Sequence, residues 1–151
     1  MISAHLQAPF VALSLFLALV PLGGCKSEQR GGPRVKTIPV TGVVSVDGSP
    51  AASLKVECHR DTPDPAFPMV PTAITAADGK FTIGTYEGSD GAPAGNYHLT
   101  FVWGEFNLIN GQYSGDKLKK KYADPKASEI KLSISDSDSR IDLGELKLSA
   151  K

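Results

Sequence analysis

The sequence predicts an all-β fold, a single sandwich of about seven strands, and three observations lead to that prediction. Apolar and polar residues alternate with a period of two from Ile38 onward, which is typical of strands with one face in a core and one in water. Short turn motifs, Asp47-Gly48 and Asp78-Gly79, separate alternating segments and are expected to close hairpins. No window of eleven or more residues shows the apolar stripe of an amphipathic helix.

The parity of the alternation assigns an inward set of side chains to each predicted strand. The inward sets are Leu54, Val56 and Cys58; Phe81 and Ile83; Tyr97, Leu99, Phe101 and Trp103; and Ile130, Leu132 and Ile134. Gly42 also has inward parity, so we expect a facing aromatic ring to pack closely against it. Tyr97 is expected to bury its ring and to hydrogen-bond its hydroxyl to a nearby corner. The parity changes at Gly144, which predicts a β-bulge there.

The charge and cysteine content excludes two classes of protein. The 151 residues carry 16 basic and 16 acidic side chains, and this balance argues against nucleic acid as a partner, because phosphate binding needs an excess of Lys and Arg. The two cysteines are too few for a disulfide scaffold. All charged side chains follow residue 24, so a charge-free segment precedes a balanced part that is large enough for one domain.

The charge-free segment has the features of a secretory signal peptide. Residues 10–20 form an apolar run that is too short to cross a bilayer but has the length usual in signal peptides. The sequence Leu22-Gly23-Gly24-Cys25 follows and resembles the bacterial lipobox, which implies that Cys25 is joined to diacylglycerol and becomes the first residue after cleavage. We therefore expect a signal peptide over residues 1–24, the lipidated Cys25 and a flexible tether over 25–36, and a domain over 37–151.

One feature departs from that pattern. Residues 1–9 contain no Lys or Arg, whereas a signal peptide normally begins with positive charge. Either the true start differs from Met1 or export depends on the apolar run alone. The alternative interpretation is a buried or frayed N-terminal helix with an incidental cysteine.

Three motifs in the body of the chain resemble those of transthyretin-like, carboxypeptidase-regulatory-like domains. They are Pro39-Val-Thr-Gly-Val-Val-Ser-Val-Asp-Gly-Ser-Pro50, Thr75-Ala-Ala-Asp-Gly-Lys-Phe81 and Gly91-Ala-Pro-Ala-Gly-Asn-Tyr97. Their order behind a lipobox is similar to that of small bacterial lipoproteins built from one such domain, and the resemblance covers residues 37–148. It implies an Ig-like, transthyretin-like (prealbumin-like) sandwich. The motifs are fold-forming and supply no chemistry.

Few residues suggest catalysis or metal binding. Cys58 and His59 are adjacent, so in a strand they point to opposite faces and cannot share a metal ion, and Cys58 is expected in the core. His98 is not part of the Tyr-x-x-His-x-His run that iron dioxygenases on related sandwiches carry, and the C-terminal Tyr-Arg-Gly-Ser of the transthyretin-like hydroxyisourate hydrolase is missing. Residues 136–140 begin like a calcium loop but lack its later Gly and Glu. We expect no catalytic residue, no metal and no cofactor.

The longest stretch without a strand pattern, residues 104–127, is the candidate binding loop. Its candidate residues are two aromatics and four lysines, namely Phe106, Tyr113, Lys117, Lys119, Lys120 and Lys121. One interpretation is a surface for an anionic glycan or for lipid headgroups near the tether. The other is a loop folded over the end of the sandwich, with its lysines in solvent. Complete burial of Trp103, Phe106 and Tyr113 would leave no platform on which a sugar could stack.

The sequence thus predicts a lipid-anchored cell-envelope protein with a non-catalytic structural or interaction role. Its expected partners are the membrane, through Cys25, and an envelope glycan or protein. Lys26 rather than Asp after the cysteine favours the outer membrane by the best-known sorting rule. The alternatives are a carbohydrate- or peptidoglycan-binding module, and an enzyme, for which no nucleophile or general base stands out.

Overall fold

The computed structural model describes residues 34–65, 67–107, 109 and 111–151. This part of the chain forms twelve strands and no helix. The strands are β1 (Thr37–Ile38), β2 (Val40–Val46), β3 (Ser49–Pro50), β4 (Lys55–Arg60), β5 (Thr72–Ile74), β6 (Lys80–Thr82), β7 (Ala92–Pro93), β8 (Gly95–Val102), β9 (Glu105–Asn107), β10 (Gln112–Ser114), β11 (Lys131–Ile134) and β12 (Ile141–Leu148). Among the described residues there is no helix of the length and apolar character needed to cross a membrane. The predicted signal peptide, Cys25 and residues 26–33 lie outside the described residues.

Eight of the described strands form two four-stranded sheets. In one sheet β2 lies between β12 on one side and the short strands β3 and β6 on the other. The other sheet has the order β11-β8-β4-β5. Within these sheets β2 and β12 run parallel, and every other pair is antiparallel. Buried residues from both sheets belong to one hydrophobic cluster, so the prediction of an all-β sandwich is confirmed.

The inward side chains are buried as their parity predicts. Leu54, Val56 and Cys58 of the β4 segment are buried, as are Phe81, Ile83, Tyr97, Leu99, Phe101, Leu132 and Ile134. Trp103 and Ile130 are only partly buried and pack against the edge of the same cluster. Complete burial of one large apolar side chain contributes roughly 1.5–3 kcal/mol, so this alternation accounts for most of the cohesion between the sheets.

Two predicted core contacts are present. Gly42 in β2 lies opposite Phe81 in β6, and a Cβ atom on Gly42 would come within 2.8 Å of the ring atoms Cε1 and Cζ. The buried Tyr97 hydroxyl donates a hydrogen bond to the Pro93 carbonyl at 2.8 Å, four residues upstream. The first contact sets the close approach of ring and strand, and the second closes the corner between β7 and β8.

Both predicted hairpin turns are present. Asp47 and Gly48 join β2 to β3 with φ angles of 49° and 84°, both in the left-handed region that a tight hairpin requires. Asp78 and Gly79, the latter with a φ of 78°, turn the chain back from β5 to β6. Ala76 N donates to the Lys80 carbonyl at 2.8 Å across this turn, and Thr72 forms an antiparallel bridge with Gly84. The strand β6 also pairs with β2, where Phe81 packs against Gly42.

The predicted bulge in the last strand is confirmed. The pairing of β12 with β2 shifts register between Asp142 and Glu145, and Gly144 has a φ of 65°. Beyond the bulge, Leu148 points into the core and is buried there. Leu143 and Leu146 are partly buried and pack against the same core.

The sandwich has a near end, at which the described chain begins, and a far end. Residues 34–36 are fastened to the near end by hydrogen bonds to Glu87, Tyr86 and Asp136. Both β2 and β12 run from there to the far end, where Val46 pairs with Leu148. Six residue steps along β2, at about 3.3 Å each, separate the two ends by roughly 20 Å. The last three residues of the predicted tether are therefore held on the domain.

Candidate binding surface at the far end

The segment expected to lack strands, residues 104–127, contains a β-hairpin, so that expectation is wrong. The strands β9 and β10 pair in antiparallel register, with Phe106 opposite Tyr113. The Tyr113 hydroxyl fixes the base of the hairpin, since it accepts a hydrogen bond from Gly104 N at 3.0 Å and donates to the Ser53 carbonyl. Burial raises the pKa of this hydroxyl, which keeps it protonated as a donor. The Phe106 side chain lies outside the described part of the chain.

Asp116 organises the lysine-rich turn that follows the hairpin. Its carboxylate accepts hydrogen bonds from the backbone N–H groups of Trp103 at 3.0 Å, Leu118 at 2.9 Å and Lys120 at 2.8 Å. Leu118 is buried in the core and attaches the turn to the sandwich. Lys119 and Lys120 have φ angles of 53° and 64°, a left-handed conformation that residues other than glycine rarely adopt. Sequence reasoning missed this role of Asp116, although Asp before such a turn is a known signal for side-chain to backbone hydrogen bonds.

The four predicted lysines have different surroundings. The Lys117 ammonium lies 5.1 Å from the centre of the Trp103 ring. The Lys121 ammonium donates to the Lys151 carbonyl at 3.1 Å and lies over the Tyr122 ring, so it is bound to the C-terminal residues. Lys119 and Lys120 are exposed, and their ammonium groups contact no other polar or aromatic group among the described residues. These two lysines are the ones available to a partner.

Two adjacent surface pockets border this turn. The first has a volume of about 440 Å³ and is lined by Val102, Gly115, Asp116, Lys119, Lys120 and Ala123. The second, of about 360 Å³, shares Gly115 and Asp116 with the first and extends to Trp103 and Lys117. The first pocket thus combines the apolar residues Val102 and Ala123 with Lys119 and Lys120, the second includes Trp103, and Asp116 lines both.

Two aromatic residues at the far end, Trp103 and Tyr113, are partly exposed. Trp103 is partly exposed, and its Nε1 donates to the Ala52 carbonyl at 2.9 Å. Tyr113 is also partly exposed, with the Lys55 ammonium 5.9 Å from its ring centre. Since neither ring is fully buried, contact with the apolar face of a sugar remains open to both.

The other residues weighed in the sequence have structural surroundings. Cys58 is buried, and burial together with the nearby charge of Glu57 raises its pKa to about 12. His59 and His98 lie opposite each other on the outer face of the sheet, where His59 contacts Thr100 and His98 contacts Asp61. Within the described ranges no group of three or more His, Cys, Asp or Glu residues is placed to hold a metal ion. The acidic segment at residues 136–140 is a turn in which Asp138 accepts a hydrogen bond from Ser135 N.

Replacing Asp116 with alanine should destabilise the protein by about 1–3 kcal/mol, because three backbone N–H groups lose their acceptor. Amide hydrogen exchange at Leu118 and Lys120 should become faster along with the drop in urea midpoint. The matched control is Asp124→Ala, since the Asp124 carboxylate accepts one backbone bond, from Lys126. Equal effects of the two variants would contradict the central role of Asp116.

No protein-family model matches the sequence, and no curated protein matches it. Among solved structures, the chain is similar to an (S)-allantoin synthase, with a TM-score of 0.41 and 21% identity over 76% of this chain and 41% of that one. It is also similar to a 9R-lipoxygenase from Cyanothece, with a TM-score of 0.41 and 17% identity over 80% of this chain and 18% of that one. The chain thus spans less than half the length of either enzyme, and at these TM-scores the likeness carries no functional argument.

Proposed function

We propose that this protein is a lipid-anchored component of a bacterial cell envelope, with a non-catalytic structural or interaction role. The observation that carries the proposal is the apolar run followed by Leu22-Gly23-Gly24-Cys25, only nine positions before Arg34. Arg34 is hydrogen-bonded to the near end of the sandwich. An acylated Cys25 would therefore join a folded β-sandwich to a membrane through a short connection.

The length of that connection sets the height of the domain above the membrane. Nine residue steps can reach at most about 30 Å, by the limit of roughly 3.3–3.6 Å per residue for an extended chain. In this proposal the near end of the sandwich, to which residues 34–36 are attached, lies within that distance of the lipid headgroups. Lys26 at the position after the cysteine supports the outer membrane as the location.

The proposal includes the domain type. The motifs that resemble transthyretin-like, carboxypeptidase-regulatory-like domains fall at structurally meaningful positions, since Gly42 lies against Phe81 and Tyr97 closes a corner with Pro93. Domains of this type serve many purposes, so the motifs support the fold and leave the role to the surface of the molecule.

The test of the anchor is the replacement of Cys25 with serine in the full chain. Serine offers no thiol for thioether formation, so the variant should lose lipid labelling and leave the membrane fraction for the soluble one. The matched control is Cys58→Ala, which removes the other cysteine and should leave membrane retention unchanged. Retention of Cys25→Ser in membranes washed with high salt, or unchanged lipid labelling, would contradict the proposal.

A further inference from the structure

The far end of the sandwich carries positive charge that the protein itself does not neutralise. Residues 103–123 contain four lysines and two carboxylates, those of Glu105 and Asp116. The Asp116 carboxylate is engaged by three backbone N–H groups. Two of the four ammonium groups are engaged as well, that of Lys117 by an indole ring and that of Lys121 by the C-terminal carbonyl. These contacts leave the charges in place, and the ammonium groups that contact no polar or aromatic group among the described residues are those of Lys119 and Lys120.

The backbone holds these two lysines in a conformation that needs support. Consecutive non-glycine residues at φ angles of 53° and 64° are strained, and such strain persists where surrounding contacts impose it. Here the contacts are the Asp116 carboxylate bound to Lys120 N and the burial of Leu118 in the core. The result is a fixed turn that places both side chains on the wall of the 440 Å³ pocket.

The arrangement of the pockets indicates the shape of the partner. The pocket lined by Lys119 and Lys120 shares the wall Gly115-Asp116 with the pocket beside Trp103. Two neighbouring depressions, one cationic with apolar groups and one edged by an aromatic ring, suit successive units of a polymer. Ammonium groups pair with carboxylates, and indole or aliphatic surfaces pack against the C–H faces of sugar rings.

We propose that the far end binds an acidic, carboxylate-bearing polysaccharide, with Lys119 and Lys120 contacting its carboxylates and the Trp103 side of the surface contacting a neighbouring sugar. The proposal rests on the interaction role proposed above and names the partner class for it. The surface lies at the opposite end of the sandwich from the attachment of residues 34–36.

The test is a titration of the full chain, purified in nonionic detergent micelles, with fluorescently labelled polygalacturonate at low ionic strength. Binding should be measurable and should weaken as salt is raised, because salt screens exposed charge pairs. The double variant Lys119→Ala, Lys120→Ala should bind roughly tenfold more weakly, the sum expected for two exposed ion pairs. The double variant Lys119→Arg, Lys120→Arg keeps both charges and should retain binding within about threefold.

Matched controls separate this site from general charge attraction. Lys126→Ala with Lys131→Ala removes the same charge from exposed positions outside the two pockets, and its affinity should equal that of the wild type. Poly-L-glutamate tests an acidic peptide as the partner, and neutral dextran tests sugar without charge; both should bind more weakly than polygalacturonate. Melting curves of each variant establish that it is folded.

Three outcomes would overturn the proposal: absence of binding to polygalacturonate, equal loss in the two alanine double variants, or equal or tighter binding of poly-L-glutamate. The result is independent of the Cys25→Ser experiment, because the titration measures the isolated protein whatever its location. A protein that binds the polysaccharide but is not lipidated would refute only the anchor. A lipidated protein that does not bind would refute only the far-end site.

Discussion

Replacing Gly42 with valine is expected to lower the free energy of unfolding by about 3 kcal/mol, near the upper end of what overpacking of a core usually costs. The first added carbon would lie 2.8 Å from two ring atoms of Phe81 and 3.3 Å from Cβ of Leu143. Phe81 is itself buried and paired in register with Gly42, so its ring has little room to move aside. Urea denaturation followed by fluorescence measures the change.

Two further variants make the Gly42 experiment specific. Gly88→Ala adds the same first carbon where nothing lies within 4 Å, and it should change stability by less than about 0.5 kcal/mol. Gly42→Ala combined with Phe81→Leu should be less destabilised than the sum of the two single changes, because the shorter side chain removes the ring atoms in conflict. If the stability changes of the two single variants add up to that of the double variant, then the side chains at positions 42 and 81 do not compete for space.

Stability should fall steeply between about pH 9 and pH 12. Burial, with a smaller contribution from the charge of Glu57, raises the pKa of Cys58 from 9.0 to about 12, and burial raises that of Tyr97 from 10.0 to about 12. Both groups therefore hold their protons more tightly in the folded state than in the unfolded one. The stability linked to them is fully present below pH 9 and is lost as the pH rises through 12.

The shift in the pKa of Cys58 sets the expected size of this loss of stability. Each pKa unit corresponds to about 1.4 kcal/mol, so the free energy of unfolding falls by roughly 4 kcal/mol between pH 9 and pH 12 on account of Cys58. The shift in the pKa of Tyr97 adds to this loss. Urea midpoints measured at intervals from about pH 8 to about pH 12 should show the decline, and Cys58→Ala should show a shallower one. An unchanged slope in Cys58→Ala would contradict the assignment to the thiol.

The alternation of residues predicted the strand faces correctly because side-chain direction in a strand is a local property. Leu54, Val56 and Cys58 point inward whatever strand lies beside them. The choice of partner strand is not local. The turn at Asp78 and Gly79 folds the chain back as its sequence predicts, but the additional pairing of β6 with β2 depends on the distant contact between Phe81 and Gly42.

The candidate surface was predictable in its residue types and unpredictable in its geometry. The lysines and Tyr113 stand out in the sequence, but their separation into engaged and free groups depends on distant residues. Lys121 is bound by Lys151, and the Tyr113 hydroxyl reaches Ser53, 60 positions earlier. The strands β9 and β10 escaped prediction because each has only three residues, too few for an alternating pattern to emerge.

The parallel pairing of β2 with β12 has a consequence for the time at which the protein folds. Thr41 and Ile141 are neighbours although 100 positions separate them along the chain. One edge of β2 therefore has no parallel partner until β12 has formed. Pairing between segments that are so far apart in the sequence slows folding. Any chain that emerges from its N-terminus keeps β2 without its parallel partner, and the core without Leu148, until β12 has emerged as well.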